Sequence, residues 1–282
     1  HPPAGFAVGT TPAGMPTFVA PFDLLTTADA ALRRRVTALP GYRHWGRLLR
    51  WRTRFIGCTA TEFAPLPVAA DPAALARELV SGYGHDCALL VVKDLARESP
   101  LLPAADNLYA AALASALEAQ GCVLLEGMAL AWVPIDFDSE EDYLARLSRS
   151  RRRELRRKLR SRAALRIEAW PTGDPRLADA AVLARCLALY ENVYAQSEIQ
   201  FDRLSRDYLH ALLGDGASGG VVFTYFAGAE LIGWNLCYEY DGKLVDKYIG
   251  LAYPQAREHN LYFVSWMENL AHARRRGLSH YV

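Results

Sequence analysis

The sequence has only five cysteines in 282 residues, and it has no long run of apolar residues. The cysteines stand far apart, mostly inside apolar stretches, so they match neither a disulfide framework nor the spacing of metal ligands. Charged residues interrupt every apolar stretch before it reaches the roughly 20 residues that span a bilayer. We therefore expect small buried cysteines, no metal site, no membrane span and a cytoplasmic protein.

The composition is that of a globular chain, with 51% hydrophobic residues and a formal net charge of +1. A chain of this length can form one large core or two ordinary ones, because domains usually have about 100–200 residues. Two domains are the better interpretation. The N-terminal 70 residues hold many of the prolines, and arginine groups between residues 33 and 54 alternate with Trp45, Leu48, Leu49 and Trp51.

Three segments near the C-terminus are rich in β-branched and aromatic residues, which favour strands. They are residues 219–226, 230–240 and 243–251. The pair Asp241–Gly242 separates the last two and is typical of a two-residue hairpin turn, because both positions tolerate a positive φ. The sequence therefore predicts an antiparallel meander.

A helical pattern follows Tyr253–Pro254, with apolar residues spaced by three or four from Leu261 to Ala271. Asn260 is expected to cap its start, and Gly277 to provide a left-handed stop. A further strand should begin after Gly277. Since the chain starts with His1 and stops at Val282, both ends are expected to be incomplete.

Three strands, a helix and a strand in this order resemble the core of the GNAT superfamily of acyltransferases. The stretch from Tyr248 to Phe263, followed by residues 271–277, is similar to the acetyltransferase relatives of the FemAB aminoacyl transferases, the CelD-like branch. Upstream, residues 132–144 and the basic segment from Ser150 resemble the opening of the same module.

The resemblance implies an α/β (α+β) fold with two GNAT-like halves, each a mixed, mostly antiparallel sheet flanked by helices. Residues 129–282 would form the acyltransferase module, and residues 1–128 the N-terminal half with an irregular first segment. That half has a predicted strand at Cys87–Asp94, a helix at Asn107–Gln120 closed by Gly121, and a strand at Cys122–Leu125.

A basic helix is predicted across residues 139–162, with a capping-box start at Ser139 and Asp142. Between Arg146 and Arg162 it carries nine arginines and one lysine against a single glutamate, and a stripe of leucines marks one side. It is either a solvated face or a docking site for an acyl carrier protein, a tRNA or the phosphates of coenzyme A. The candidate partner-binding residues are Arg152, Arg153, Arg156 and Arg157.

Coenzyme A binding follows from the resemblance, with the thioester as a co-substrate and no permanently bound cofactor. In GNAT proteins, backbone N–H groups hold the pyrophosphate where the fourth strand's loop enters the next helix. The corresponding loop here lacks the usual glycines, so it is either an ordinary helix start or a site with substitute donors. The candidate cofactor-binding residues are Arg257, His259, Asn260 and Leu261.

The acceptor side of the resembling proteins is built from the first helix of the module and the bend after it, here residues 187–201. Tyr194, Gln196 and Trp234 are the candidate substrate-binding residues. Asp246 and Tyr248 are predicted to share one face of the third strand, where a carboxylate is costly unless it is paired or used. Asp246 is the first candidate base and Glu198 the second, and Tyr248 would donate to the acceptor or to the leaving thiolate.

The predicted function is transfer of an acyl group from a thioester donor, acyl-CoA or acyl carrier protein, to a small-molecule amine. Two alternatives remain. One is a FemAB-like transferase that uses aminoacyl-tRNA, and the other is a non-catalytic GNAT-like docking module.

Overall fold

The computed structural model describes residues 2–3, 5–26, 28–197 and 200–282. The chain divides into two compact units, Pro2–Ala129 and Leu130–Val282. Each unit has its own mixed sheet flanked by helices, as a GNAT-like fold requires.

The N-terminal unit has a four-stranded sheet in the order β1-β2-β3-β4, with β3 and β4 parallel and the other neighbours antiparallel. Its strands are β1 (Ala7–Thr10), β2 (Pro16–Asp23), β3 (Arg50–Ile56) and β4 (Leu89–Val92). Its helices are α1 (Ala30–Thr37), α2 (Tyr42–Trp45), α3 (Pro72–Tyr83) and α4 (Ala104–Ala119), with a 3-10 turn at Gly46–Leu49. The core lies between the sheet and the helix pair α3 and α4.

Two of the three predicted elements of this unit are confirmed, since β4 lies within Cys87–Asp94 and α4 covers most of Asn107–Gln120. The strand predicted at Cys122–Leu125 is wrong. The Cys122 N–H donates to the carbonyl of Leu117 at 3.1 Å and closes α4, and Val123 and Leu125 are exposed. Strand-forming residue types are present, but among the described residues no strand pairs with this segment.

The C-terminal unit has a six-stranded sheet in the order β5-β10-β9-β8-β7-β6, antiparallel except for the parallel pair β9 and β10. Its strands are β5 (Val133–Pro134), β6 (Arg166–Pro171), β7 (Gly220–Ala227), β8 (Glu230–Tyr240), β9 (Lys243–Leu251) and β10 (His280–Tyr281). Its helices are α5 (Glu140–Ala145), α6 (Arg149–Leu159), α7 (Ala180–Gln196), α8 (Arg206–Gly214), α9 (Gln255–Glu258) and α10 (Leu261–Arg275), with 3-10 turns at Arg160–Ala164 and Pro175–Ala178.

The predicted meander is confirmed by β7, β8 and β9, and the strand predicted after Gly277 is β10. Asp241 and Gly242 both have positive φ, 48° and 67°, as the tight hairpin requires. Gly277 ends α10 with φ 66°.

Helices cover both faces of this sheet. On the face that we call the α7 face, the Trp234 indole N–H donates to the carbonyl of Cys186 in α7 at 2.8 Å. On the opposite face, the α10 face, Asn269 of α10 donates to Asn235 at 2.6 Å. The strands are therefore buried on both sides, which explains their nearly continuous apolar sequence.

The single basic helix predicted across residues 139–162 is wrong, because the segment forms two helices and a 3-10 turn. Arg146 turns back to donate to the carbonyl of Asp136 at 2.6 Å, and Ser148 then caps α6 through the N–H of Arg151. Ser139 does cap α5 through the N–H of Asp142.

Candidate active site

A β-bulge between β8 and β9 fixes the geometry of the candidate catalytic residues. Leu236 pairs with Tyr248 and Cys237 pairs with Asp246, so Lys247 is one extra residue in β9. Paired residues share a face, and neighbouring residues of β8 point to opposite faces. Asp246 therefore lies on the α10 face and Tyr248 on the α7 face, and the prediction that they share a face is wrong.

Asp246 belongs to a buried hydrogen-bonded cluster on the α10 face. Its Oδ1 accepts from Asn235 at 2.6 Å, and its Oδ2 accepts from the Tyr281 hydroxyl at 2.6 Å and from Asn269 at 3.4 Å. Asn269 also donates to the Tyr281 oxygen at 3.1 Å. We call Asp246, Asn235, Asn269 and Tyr281 the carboxylate cluster.

Burial raises the pKa of Asp246, and the hydrogen bonds from Tyr281 and Asn235 offset only part of that effect. Burial, and then the neighbouring Asp246, raises the pKa of Tyr281. Its hydroxyl therefore keeps its proton at neutral pH and donates a hydrogen bond to the carboxylate. Sequence reasoning missed Asn235, Asn269 and Tyr281. The available signal was the presence of asparagines inside otherwise apolar elements, since buried polar groups need partners.

The α7 face presents aromatic hydroxyls. Burial, and then the neighbouring Tyr208 of α8, raises the pKa of Tyr248. The rings of Tyr190 and Tyr194 contact each other in a tilted arrangement, with 5.9 Å between their centroids. The Tyr190 hydroxyl accepts from the N–H of Leu204 at 3.1 Å. Tyr194 and Tyr248, both half-buried, therefore belong to the same side of the sheet.

Among the other acceptor-side candidates, Trp234 is not part of this group of tyrosines. Trp234 is fully buried, and its N–H bond to Cys186 makes it a core residue rather than part of an open pocket. Glu198 lies outside the described residues. Gln196, in contrast, is exposed and accepts from Arg257 at 3.3 Å, so α7 contacts the loop that precedes α10.

That loop turns without a glycine. Asn260 adopts the left-handed conformation itself, with φ 50°, and its side chain makes no capping bond, contrary to the prediction. The N–H groups of His259 and Asn260 already bond to the carbonyls of Gln255 and Arg257. Within the described residues, the N–H groups of Leu261 and Tyr262 have no hydrogen-bond acceptor, as is usual for the first turn of a helix.

The side chains of this loop divide by burial. Leu261 is fully buried, so only its backbone is available to a ligand. Arg257 is exposed and lies over the Tyr253 ring, 5.1 Å from the centroid. The carbonyl of His259 accepts from Ser161, which follows α6.

The basic helix α6 packs against the start of α10. The ammonium of Lys158 lies 3.5 Å from the centroid of the Phe263 ring, and Arg162 pairs with Glu268 at 3.0 Å. Of the four candidate docking arginines, Arg153 and Arg157 are exposed and in the described structure have no ion-pair partner, Arg152 is half-buried, and Arg156 pairs with Glu141. Fewer of the candidate docking arginines are therefore exposed and without an ion-pair partner than the sequence suggested.

β10 lies beside the first part of β9. β10 pairs with Lys243 and Leu244, and the N–H of Asp246 donates to the carbonyl of Val282 at 2.8 Å. From Lys247 to Leu251, β9 has β8 on one side and, in the part of the chain that the structure describes, no strand on the other. This part of β9 leads into the loop that precedes α10.

Neither a cluster of metal ligands nor a membrane-spanning helix occurs in the described ranges. They contain no group of three or more His, Cys, Asp or Glu side chains placed to hold a metal ion. No helix in them has both the length and the apolar character needed to cross a membrane.

Comparison with known proteins supports the class that this geometry suggests. The sequence model of the acetyltransferase (GNAT) domain matches residues 148–282. No curated protein matches the chain in sequence. The match and the topology of the six-stranded sheet support the GNAT superfamily and acyl transfer as the class of reaction, and GNAT acetyltransferases use acyl-CoA as a co-substrate.

Two solved structures are similar to the chain. The C-terminal domain of a putative lysylphosphatidylglycerol synthetase from Agrobacterium fabrum aligns over 98% of this chain and 70% of that chain, with 12% identity and a TM-score of 0.53. An aminoglycoside acetyltransferase from an uncultured soil metagenomic sample, in complex with sisomicin, aligns over 37% of this chain and 73% of that chain, with 15% identity and a TM-score of 0.24. At its level of identity, the first shows a shared fold alone.

Proposed function

We propose that this protein is an N-acyltransferase that moves an acyl group from a thioester, acyl-CoA or acyl carrier protein, to the amine of a small molecule. The observation that carries the proposal is the first turn of α10, where the N–H groups of Leu261 and Tyr262 have no hydrogen-bond acceptor among the described residues. The proposed donor is an extended thioester arm with phosphate at its far end. A helix N-terminus with two available N–H groups suits the phosphates at the far end of that arm.

In this proposal Leu261 and Tyr262 bind phosphate through their N–H groups, and Arg257, His259 and Asn260 lie beside them. The amine nitrogen attacks the thioester carbon, its proton goes to a carboxylate, and the carbon–sulfur bond breaks to release the thiol. Asp246 is the first candidate base, because a raised pKa brings a carboxylate closer to the operating pH. Glu198 is the second. Tyr248 lies on the opposite face of the sheet from Asp246, so it is the candidate donor to the acceptor or to the leaving sulfur only where Asp246 is not the base.

The donor assignment is tested by thermal unfolding with coenzyme A and with the matched pair Tyr262→Pro and Tyr262→Ala. A ligand at one hundred times its Kd adds about 2.7 kcal/mol of stability. Proline at this exposed first-turn position removes one N–H that no helical bond uses. We expect about 10-fold to 100-fold weaker binding for the proline variant, since a hydrogen bond to a charged group contributes about 1.5–3 kcal/mol. Equal affinity in both variants, or no shift with wild type, would contradict the assignment.

The candidate arginines of α6, at positions 152, 153, 156 and 157, form the proposed docking site for an acyl carrier protein. Clustered arginines steer and bind an acidic partner in a salt-dependent way. Replacing Arg152, Arg153, Arg156 and Arg157 by Glu should abolish carrier-protein binding without moving the melting temperature in the presence of free coenzyme A. Charge reversal of Arg34 and Arg35, in the other unit, is the matched control.

Aminoacyl transfer from tRNA is the second candidate function. It is favoured by the positive face of α6 and by the similarity in fold to a domain of a putative lysylphosphatidylglycerol synthetase. Charged tRNA that stabilises the protein while coenzyme A does not would select it, and stabilisation by neither would favour the non-catalytic docking module. Assignment to the FemAB-like or CelD-like branch, the boundary at residues 128 and 129, and the cytoplasmic location stay predictions.

A further inference from the structure

A second basic surface lies in the N-terminal unit, where the chain leaves the sheet between β2 and β3. Residues 30–49 form α1, α2 and a 3-10 turn, and residues 50–52 begin β3 before its pairing with β4 starts at Thr53. Neither α1 nor α2 buries a residue, and the turn buries only Gly46. These elements therefore lie at the surface and contribute almost nothing to the core.

The formally charged side chains within residues 30–61 are all positive, and the nearest aspartates, Asp23 and Asp29, lie just before this segment. Residues 30–61 contain eight arginines and no aspartate or glutamate, at positions 33, 34, 35, 43, 47, 50, 52 and 54. Some of these arginines serve the fold: Arg33 donates to the carbonyls of Leu25 and Thr26, and Arg54 pairs with Asp86 at 2.6 Å. Arg34, Arg35 and Arg47 are exposed and have no ion-pair or hydrogen-bond partner among the residues that the structure describes.

Large apolar side chains are exposed between the arginines. Leu48 is 67% exposed, Trp51 is 40% exposed, and Leu32 and Leu39 are about half exposed. The Trp51 N–H donates to the carbonyl of Leu48 at 2.9 Å, which uses the polar atom of the indole and leaves its apolar ring to face outward. We call Leu32, Arg34, Arg35, Leu39, Arg47, Leu48 and Trp51 the arginine–leucine surface.

We propose that the arginine–leucine surface binds the surface of an anionic lipid bilayer. Arginine complements anionic headgroups and reaches them with a long, partly apolar side chain. Leucine and tryptophan gain by entering the boundary between headgroups and acyl chains, where amphipathic surface helices lie. Single-stranded nucleic acid is held mainly by stacking on aromatic rings. Three of the four apolar side chains of this surface are leucines, which have no ring, so a bilayer is the better fit.

The test is flotation of the full chain with vesicles of phosphatidylcholine alone or mixed with phosphatidylglycerol. Wild type should float only with the anionic vesicles, and less at high salt. Arg34→Gln/Arg35→Gln/Arg47→Gln should weaken partitioning about fivefold for each arginine. Leu48→Ser/Trp51→Ser should weaken it at least about tenfold, because the side chains that enter the boundary are lost.

Two matched controls accompany these variants. The melting temperature of each variant is measured to check that it is folded. Leu108→Ser removes a comparably exposed leucine from α4 of the same unit, and Arg149→Gln/Arg153→Gln/Arg157→Gln neutralises three arginines of α6. Both should float like wild type. The proposal is overturned if wild type stays unbound, if Leu48→Ser/Trp51→Ser floats normally, or if the α6 variant alone loses binding. Preferential binding of single-stranded RNA over anionic vesicles would also overturn it.

Discussion

The two faces of the C-terminal sheet bury polar groups in different ways. On the α10 face, Asp246 has donors on both carboxylate oxygens and lies in a closed cluster with Asn235, Asn269 and Tyr281. On the α7 face, the polar atoms include a hydroxyl and an indole N–H on large aromatic rings, those of Tyr248 and Trp234. One extra residue, Lys247, separates these environments. A single bulge thus decides whether a side chain enters a carboxylate cluster or an aromatic layer.

The largest expected effect is on the rate of acyl transfer by Asp246→Asn. If Asp246 accepts the amine proton, turnover per folded molecule should fall by about 10²–10⁴-fold, the usual loss of a general base. Asparagine keeps the size of the side chain and one oxygen that can accept from Asn235 or Tyr281, so the fold should persist at lower stability. A variant that is less stable but turns over normally would make Asp246 a structural residue and leave the α10 face without a catalytic role.

The pH dependence of stability, compared between wild type and Asp246→Asn, tests the environment of Asp246 on the α10 face. Because burial raises the pKa of Asp246, the folded protein binds this proton more tightly than the unfolded chain does. The stability due to this group is therefore fully present below the unfolded pKa and is lost as pH rises through the folded pKa. Denaturant midpoints of wild type should fall relative to Asp246→Asn between acid and neutral pH, and parallel pH profiles would contradict this.

A matched pair of glycines tests packing on the two faces. A Cβ at Gly250 would meet the Trp234 ring, which Cys186 holds in place, and would lie 2.9 Å from the Leu189 Cβ. A Cβ at Gly233 would meet the movable end of the Leu261 side chain. We expect Gly250→Ala to cost about 1–3 kcal/mol of unfolding free energy, as overpacking does, and Gly233→Ala to cost less. The reverse order in denaturant unfolding would show that the α10 face is the more rigid.

The smallest expected effect is that of Tyr248→Phe, which removes the hydroxyl near Tyr208. The loss of one neutral hydrogen bond should lower stability by about 1 kcal/mol. If Tyr248 contacts the acceptor, the KM for the amine should also rise by about tenfold while the KM for the thioester stays constant. Tyr190→Phe, which removes the acceptor of the Leu204 N–H, is the control that should lose stability without changing either KM.

Several features of the site were predictable from local sequence. Asp241–Gly242 made the hairpin, Gly277 ended the last helix, and a carboxylate within an apolar strand identified Asp246 as a residue that needs partners. The partners themselves were not predictable, because Asn269 and Tyr281 lie 23 and 35 residues from Asp246 along the chain. Only packing of α10 and β10 against β9 brings these groups within hydrogen-bonding distance.

By itself, the sequence determined the order and bounds of the meander, the turn residues and the two arginine-rich segments, since these depend on residue type and short-range spacing. The tertiary structure alone decided the face of each residue in β9, because a bulge depends on how two strands pair and one extra residue reverses the alternation. It also decided which arginines are exposed. Leu155 and Leu159 of α6 pack against the C-terminal core, whereas Leu48 and Trp51 have no core to enter and remain on the surface.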